Sequence, residues 1–177
     1  SMGYLIDVYR GEPAEKNPVL YAAFTLAFPQ LTMGPILRWH DWRDALRQRH
    51  VRWADVADGF SLFIVGLCCK VLLADQLVPM WALLDRIGYA YLSTPLAWLG
   101  AVSYSLQLYF DFSGYSIMAM GLGQMLGLYI PRNFDAPYAS RSVSEFYRRW
   151  HMTLGAWFRD YLYIPLGGSR HGKARTA

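Results

Sequence analysis

Charged residues, cysteines and histidines are scarce in this sequence. Of its 177 residues, 17% are charged, whereas 54% are hydrophobic and 16% are aromatic. Soluble domains usually carry about a quarter charged residues, so this chain offers too little polar surface for a soluble domain. Because the apolar residues also occur in long blocks, the composition predicts an integral membrane protein.

The few cysteines and the lack of familiar motifs exclude several kinds of site. Cys68 and Cys69 are adjacent inside an apolar block, a spacing that suits neither a disulfide nor a metal site. The sequence contains no P-loop, dinucleotide-binding or zinc motif, and Ser113 lacks the glycine two places earlier that a hydrolase nucleophile elbow needs. We therefore expect neither a metal nor a bound cofactor.

The net charge of +4 does not by itself indicate a nucleic-acid partner. The basic residues lie in short loops between apolar blocks, and no basic stripe with stacking aromatics stands apart from those blocks. Basic loops of this kind orient a protein in a membrane. We expect contact with membrane lipid and not with nucleic acid. No signal peptide is recognisable at the start of the chain.

Four apolar blocks divide the chain, at residues 19–36, 60–84, 96–130 and 161–166. A membrane-spanning helix needs about 20 apolar residues, so the first two blocks each predict one span. The third is too long for one ordinary span, and the segment from Asp111 to Gly114 near its middle predicts a break or bend. Gly123 and Gly127 have the spacing of a small-residue helix contact. The expected fold is an all-α polytopic transmembrane bundle with interfacial or re-entrant helices.

Two arginine-rich loops frame the second and third blocks. The first contains Arg38, Arg43, Arg47, Arg49 and Arg52, and the second contains Arg132, Arg141, Arg148 and Arg149. If the third block crosses once, both loops lie on the same side of the membrane, and their arginines predict that this side is cytoplasmic. The weakly charged link at residues 85–95 would then lie outside. Two crossings by the third block would break this parity.

A polar, aromatic segment follows the third block. Ser142 and Glu145 have the spacing of a capping box that opens a helix, and Glu145 can pair with Arg148 or Arg149 one turn later. The helical spacing of its large apolar residues predicts one face made by Phe146, Trp150, Leu154 and Trp157. The helix is too polar to face lipid, so we expect it to be interfacial, or re-entrant and enclosed by protein.

His151 is the best candidate for chemistry in this segment. A neutral imidazole can take a proton from a hydroxyl nucleophile and return it to a leaving group. The alternative is a structural histidine held by hydrogen bonds. The charged residues nearby favour a polar site; they are Arg148, Arg149, Arg159 and Asp160. The other histidines, His40, His50 and His171, lie in charged segments and are expected to be solvated.

Other charged residues allow both a functional and a structural interpretation. Asp111 lies inside an apolar block and should face a cavity or a partner, or else a helix break held by backbone amides. Lys70 and Asp75 are expected to form a structural pair or to snorkel. Arg148 and Arg149 suit the phosphates of a coenzyme A thioester, or else a cytoplasmic anchor and an internal pair with Glu145.

The ordered motifs of this chain resemble those of the membrane-bound O-acyltransferase family, in particular its alginate O-acetyltransferase-like bacterial branch. The longest match runs from Arg149-Trp150-His151-Met152-Thr153-Leu154 through Gly168. Earlier matches lie at residues 4–11, 28–31, 34–38, 66–67, 70–75 and 109–115. The chain departs from the branch at Ile117, where Asp is usual, and at Gly155, where Ser is usual, so that each site lacks a polar group.

The resemblance implies an enzyme of the bacterial inner membrane that moves an acyl group, typically acetyl, from an acyl thioester such as acetyl-CoA to a hydroxyl. The implied acceptor is an exported polysaccharide, often reached through a periplasmic acetylation partner protein; alginate, cellulose, other exopolysaccharides and peptidoglycan all fit. His151 falls on the family's active-site histidine in the Trp-His-Met motif. The principal catalytic histidine of the family belongs to a later Trp-His-Gly motif.

Both ends of the chain look cut, so we expect residues 1–177 to form a partial acyltransferase domain without its N- and C-terminal parts. The 177-residue chain alone is then expected to be inactive. Two other functions are compatible with the residues. One is a transporter or channel subunit that uses Asp111, Lys70 and Asp75 along a polar path, and the other is a non-catalytic membrane scaffold for polymer-modifying partners.

Overall fold

The computed structural model describes residues 2–31 and 33–168, and within them every regular element is helical. The α-helices are α1 Met2–Tyr9, α2 Pro18–Thr25, α3 Trp39–Arg47, α4 Trp53–Cys68, α5 Asp75–Ile87, α6 Thr94–Met125, α7 Val143–Arg149 and α8 Met152–Phe158. Two π-helical turns, at Cys69–Ala74 and Arg159–Tyr163, follow α4 and α8, and 3₁₀ turns lie at Phe28–Gln30, Tyr89–Tyr91 and Pro137–Ala139. The predicted all-α class is confirmed for these residues.

The second apolar block forms one long helical rod. Helix α4, its π-helical turn and α5 run without a gap from Trp53 to Ile87, a 35-residue stretch with a mean hydropathy of 2.0. Among the described residues it is the one helix long and apolar enough to cross a membrane, by length and composition. The predicted helix in this block is therefore confirmed, and it extends several residues beyond the block at each end.

The third apolar block is also one helix, and the predicted break near its middle is wrong. Helix α6 has 32 residues, or about 48 Å at 1.5 Å per residue. Ser113 and Gly114 are both buried, and Gly114 packs closely against the α4 rod, so this segment leaves the helix intact. The helix ends where Gly127 adopts φ +68°, with Leu128 N–H donating to the carbonyl of Gly123 as in a Schellman cap.

Helices α4 and α6 pack antiparallel through two pairs of glycines. A Cβ on Gly59 would lie 2.6 Å from the carbonyl oxygen of Gly121, and one on Gly66 would lie 2.6 Å from that of Gly114. Such distances leave no room for a side chain, as in close helix contacts of membrane proteins. The predicted contact of Gly123 and Gly127 is wrong, because Gly127 belongs to the cap of α6.

The first apolar block does not form the predicted single span. Helix α2 has eight residues, and the chain then turns through Pro29 and Gly34. A Cβ on Gly34 would overlap the carbonyl oxygen of Pro29, so this turn requires glycine. Phe24 instead enters a core of buried residues with Tyr4, Leu37, Trp39, Trp42, Ala119, Leu128 and Ile130.

The two arginine-rich loops lie at the same end of the helix pair. Trp42, in the first loop, donates its indole N–H to the carbonyl of Tyr129, just after α6, at 2.8 Å. The link between α5 and α6 lies at the opposite end, because the two helices run antiparallel. This placement is the one that a single crossing by the third block requires. The crossing itself and the cytoplasmic assignment of this end stay predictions.

Candidate functional site

The segment around His151 is two short helices and not the predicted single one. Helix α7 ends at Arg149, Trp150 is extended, and His151 adopts φ +46° and ψ +56° before α8 begins. Trp150 forms an antiparallel bridge with Phe134, flanked by a hydrogen bond from Met152 N–H to the carbonyl of Asn133 at 2.9 Å. The predicted apolar face from Phe146 to Trp157 is wrong, because this bridge pulls the backbone out of the helix at Trp150.

The start of this segment is as predicted in most respects. The Ser142 hydroxyl accepts the N–H of Glu145 at 3.1 Å and so caps α7. Glu145 does not close the capping box on Ser142; its carboxylate accepts the Arg141 N–H at 2.9 Å and pairs with Arg149 at 2.8 Å. The backbone hydrogen bond from Arg141, followed by the charge of Arg149, lowers the pKa of Glu145.

Asn133 determines which nitrogen of His151 carries the proton. Its Oδ1 accepts the Thr153 backbone N–H at 3.2 Å and the Thr153 hydroxyl at 2.8 Å, which orients the amide with its oxygen toward His151. His151 Nδ1 lies 3.1 Å from the same oxygen. A carbonyl oxygen can only accept, so Nδ1 carries the hydrogen and Nε2 of the neutral ring keeps its lone pair.

Asn133 is itself firmly held. It is 1% exposed, and its amide nitrogen lies 3.4 Å from the Ser116 hydroxyl on α6. The Thr153 hydroxyl accepts the backbone N–H of Ile36 at 2.9 Å, which ties the network to the start of the chain. Sequence reasoning missed Asn133, because a single asparagine between two apolar elements has no motif that marks it as the partner of a histidine.

The aromatic ring of Phe112 packs on His151. Phe112 on α6 meets the imidazole edge to face with 4.8 Å between ring centroids, and it also packs on Phe134 and Trp150. His151 is partly buried, and this burial lowers its pKa below the usual value. The imidazole is therefore neutral at pH 7, the form that accepts a proton at Nε2.

Two cavities flank the network that holds His151. One of about 420 Å³ is lined by residues that include Ser116, Asn133 and Phe134. The other, of about 490 Å³, is lined by residues that include Arg38, Met152 and Thr153. His151 is not a lining residue of either cavity. Its sequence neighbours Met152 and Thr153 line the larger cavity, and its hydrogen-bond partner Asn133 lines the smaller one.

Arg159 and Asp160 belong to a separate ionic cluster, which they form with residues from the first part of the chain. The Asp160 carboxylate is 2.7 Å from Arg159 and 2.7 Å from Arg38, and these two guanidinium groups hold its pKa down to about 2. Next to it, Tyr161 donates to the buried carboxylate of Asp7 at 2.8 Å. Burial, followed by this hydrogen bond, raises the pKa of Tyr161. The described residues show no hydrogen bond from this cluster to His151.

The remaining predicted site residues differ in whether an ion pair already engages their charged group. Arg149 is engaged by Glu145, and Asp111 is paired with Lys70 at 2.8 Å. Arg148 is exposed, and within the described part of the chain no hydrogen bond or ion pair occupies its guanidinium. The same part of the chain brings together no three histidine, cysteine or acidic side chains as a metal site would.

The sequence of residues 8–177 matches the model of one protein family, MBOAT, the membrane-bound O-acyltransferase family. The chain belongs to the membrane-bound O-acyltransferase family. The family membership makes this a membrane protein, in agreement with its apolar helical rod. The His151 network and its two flanking cavities therefore belong to a member of an acyltransferase family.

Several curated relatives are similar over most of the chain. A probable alginate O-acetylase AlgI of Azotobacter vinelandii is 49% identical over 96% of this chain and 34% of that protein. A peptidoglycan O-acetyltransferase of Helicobacter pylori is 40% identical over 85% of this chain and 29% of that protein. A teichoic acid D-alanyltransferase of Bacillus subtilis is 30% identical over 80% of this chain and 36% of that protein. The chain thus spans about a third of the length of these relatives.

Proposed function

We propose that this chain is part of a polytopic O-acyltransferase of the bacterial inner membrane. The enzyme transfers an acyl group, typically acetyl, from a thioester such as acetyl-CoA to a hydroxyl of an exported polysaccharide such as alginate. The names of its relatives support this proposal, because they describe acyl transfer to alginate, peptidoglycan and teichoic acid. A periplasmic partner protein is the route by which the acyl group reaches the polymer.

The observation that supports a role for His151 is its hydrogen bond to Asn133. With Nδ1–H donated to Asn133, Nε2 points its lone pair away from that partner and can accept a hydrogen bond from an acceptor hydroxyl. The hydroxyl oxygen attacks the thioester carbonyl, the carbon–sulfur bond breaks, and the hydroxyl proton passes through a base to the departing thiolate. The main base is the histidine of the family's later Trp-His-Gly motif, and His151 orients the hydroxyl.

The donor binds at the arginine-rich end of the helix pair. A phosphate-bearing thioester needs cationic side chains that are not already neutralised. Arg148 meets this requirement, since it is exposed and unoccupied among the described residues, whereas Arg149 and Arg159 are held by carboxylates. Asp160 and Asp111 act in this proposal through the ion pairs that they form and not as ligands of a reactant.

The test is polymer acetylation in cells that express the whole protein with His151→Ala or His151→Gln. We expect both variants to reduce acetylation about 100-fold while the amount of protein in the membrane stays constant. His50→Ala is the matched control, because His50 is exposed in an arginine-rich loop away from the network. Unchanged acetylation in the His151 variants would remove this residue from the mechanism.

The donor class needs a second measurement, which also separates the enzyme from a transporter or a scaffold. Membranes that contain the whole protein are supplied with acetyl-CoA labelled in its acetyl group, and the label in polymer is counted. Transfer of label that requires the protein supports acyl transfer. Polymer that is labelled equally without the protein would assign it a transport or scaffolding role.

A further inference from the structure

Three charged side chains meet between the α4 rod and α6. The Lys70 ammonium lies 2.6 Å from a carboxylate oxygen of Asp75 and 2.8 Å from one of Asp111. Lys70 and Asp75 belong to the rod, and Asp111 belongs to α6, so the ammonium group bridges the two helices. We call these three residues the charged triad.

The π-helical turn is what brings Lys70 and Asp75 together. In a regular α-helix two residues five positions apart point about 140° away from each other. The wider turn at Cys69–Ala74 brings them to the same side, with the Asp75 N–H donating to the carbonyl of Lys70. Gln76 donates its side-chain amide to the carbonyl of Val71 at 3.1 Å, which satisfies a backbone group in the turn.

The triad lies halfway along its helices. Lys70 is seventeen residues from each end of the rod Trp53–Ile87, or about 25 Å. The hydrocarbon core of a bilayer is about 30 Å thick, so a rod centred in it holds the triad near the middle of the membrane. At that depth neither water nor a lipid headgroup is at hand to neutralise a charge.

The triad has one more negative charge than positive. One ammonium faces two carboxylates, and all three side chains keep a free surface on this helix pair, 38% for Lys70, 43% for Asp75 and 25% for Asp111. Lipid tails on this surface would leave a net charge in hydrocarbon, which is costly. The surface therefore suits a partner that brings one positive charge.

We propose that a further membrane-embedded segment of the same whole protein covers the triad and places a lysine or arginine against Asp75. The relatives are about three times as long as this chain, which leaves ample length for such a segment. With this fourth charge the group is neutral, two cations against two carboxylates. The interaction fixes the α4 rod and α6 to the rest of the protein at mid-membrane depth.

The test compares the thermal stability of the purified whole protein in nanodiscs for Asp75→Asn and for Asp75→Asn combined with Lys70→Met. With the proposed cation present, Asp75→Asn leaves one unpaired positive charge. The double variant leaves the new cation with Asp111 and is neutral again. We therefore expect the double variant to melt at least about 3 °C above the single variant.

Without a fourth charge the order of the two variants reverses. Asp75→Asn would then leave a neutral pair of Lys70 and Asp111, and the double variant would leave Asp111 alone. A double variant that melts at or below the single variant overturns the proposal. If Asp75→Asn does not accumulate in membranes, recovery of protein by the added Lys70→Met supports the proposal, and failure to recover it counts against it.

Asp58→Asn provides the control for the loss of a carboxylate from the same rod. Asp58 is exposed near the start of α4, outside the triad. Its replacement is expected to shift the melting temperature by less than about 1 °C. A drop in the control as large as that of Asp75→Asn would mean that the triad has no special role.

Discussion

Gly66 on α4 and Gly114 on α6 approach so closely that a Cβ on either glycine would meet the other's carbonyl oxygen, at 2.6 Å and 2.8 Å. The contact lies next to the π-helical turn, since a Cβ on Gly114 would also lie 3.2 Å from the backbone nitrogen of Lys70. The close backbone approach thus holds Lys70 and Asp111 within reach of each other.

We predict that Gly66→Ala destabilises the protein, although alanine favours a helix. The new methyl group would press on backbone atoms of α6, which cannot move aside as a flexible side chain can, so the helices must separate. Overpacking of this kind costs about 1–3 kcal/mol. Thermal unfolding of the purified whole protein measures the loss.

Gly155→Ala is the matched control and should act in the opposite direction. Gly155 lies inside α8, and the nearest atom to an added Cβ is the Tyr147 carbonyl oxygen at 3.8 Å, an ordinary contact. Alanine should stabilise this helix by up to about 1 kcal/mol. If both alanine variants changed the melting temperature in the same direction, close packing would not explain the role of Gly66.

The sequence was sufficient for the features that depend on neighbours along the chain. The helical class, the cap at Ser142 and the pairing of Glu145 with a nearby arginine all follow from local spacing. The features that failed depend on which distant segments meet. The left-handed backbone of His151 directly follows a bridge between Trp150 and Phe134, and no periodicity within residues 142–158 contains that information.

The same reasoning explains the glycines. Gly123 and Gly127 have a familiar packing spacing, yet the helix contact uses Gly114 and Gly121, which are seven residues apart. Seven residues are two helical turns, so both face the same neighbour. Which glycines of an apolar helix pack closely depends on where the partner helix places its own small residues, and that is a property of the pair.

Asn133 is predicted to act by positioning His151, and its variants should separate this role from simple packing. Asn133→Leu removes the acceptor of the Nδ1–H and lets the imidazole adopt the other tautomer. Acetylation in Asn133→Leu should fall at least about tenfold at every pH. Adding Asn133→Leu to His151→Ala should cause no further loss beyond that of His151→Ala alone. Additive losses would show that the two residues act independently.

Asn133→Asp should retain the acetylation that Asn133→Leu loses, but with a changed pH profile. A carboxylate still accepts the Nδ1–H and, unlike the amide, stabilises the protonated ring, so it raises the pKa of His151. His151 must be neutral for its Nε2 to accept a hydrogen bond from the acceptor hydroxyl, so activity is lost as the pH falls through the pKa of His151. We expect the acid limb of the profile to move to higher pH relative to wild type. An unshifted profile would contradict the tautomer role.

Arg148 and Arg149 provide a test of donor binding with equal changes of charge. Arg148→Ala should raise the apparent KM for acetyl-CoA several-fold, because its guanidinium is free to meet a phosphate. Arg149→Ala removes the ion pair with Glu145 and should leave this KM nearly unchanged. Steady-state transfer assays in membranes measure both constants. Equal effects would indicate a general contribution of positive charge.

Asp160 is predicted to make the stability of the protein depend on pH in the acid range. Its pKa in the folded protein is about 2, below the ordinary value of 3.8, because Arg159 and Arg38 favour the charged form. A group with a lowered pKa stabilises the fold above its unfolded pKa, and this contribution is lost as the pH falls from about 5 toward 2. The pair is partly exposed to solvent, so its contribution near neutral pH is about 1 kcal/mol.

Asp160→Asn should therefore lower the melting temperature at pH 6 and make progressively less difference as the pH is reduced to 3. The difference shrinks because the aspartate of the unfolded chain becomes protonated below about pH 4, whereas the folded protein keeps Asp160 charged beside Arg38 until the pH approaches its pKa of about 2. Asp44→Asn is a suitable comparison, since Asp44 is highly exposed and lies 3.6 Å from Arg43 at the surface. A difference between Asp160→Asn and wild type that stayed constant from pH 6 to 3 would mean that shape and hydrogen bonding, and not charge, explain the contribution of Asp160.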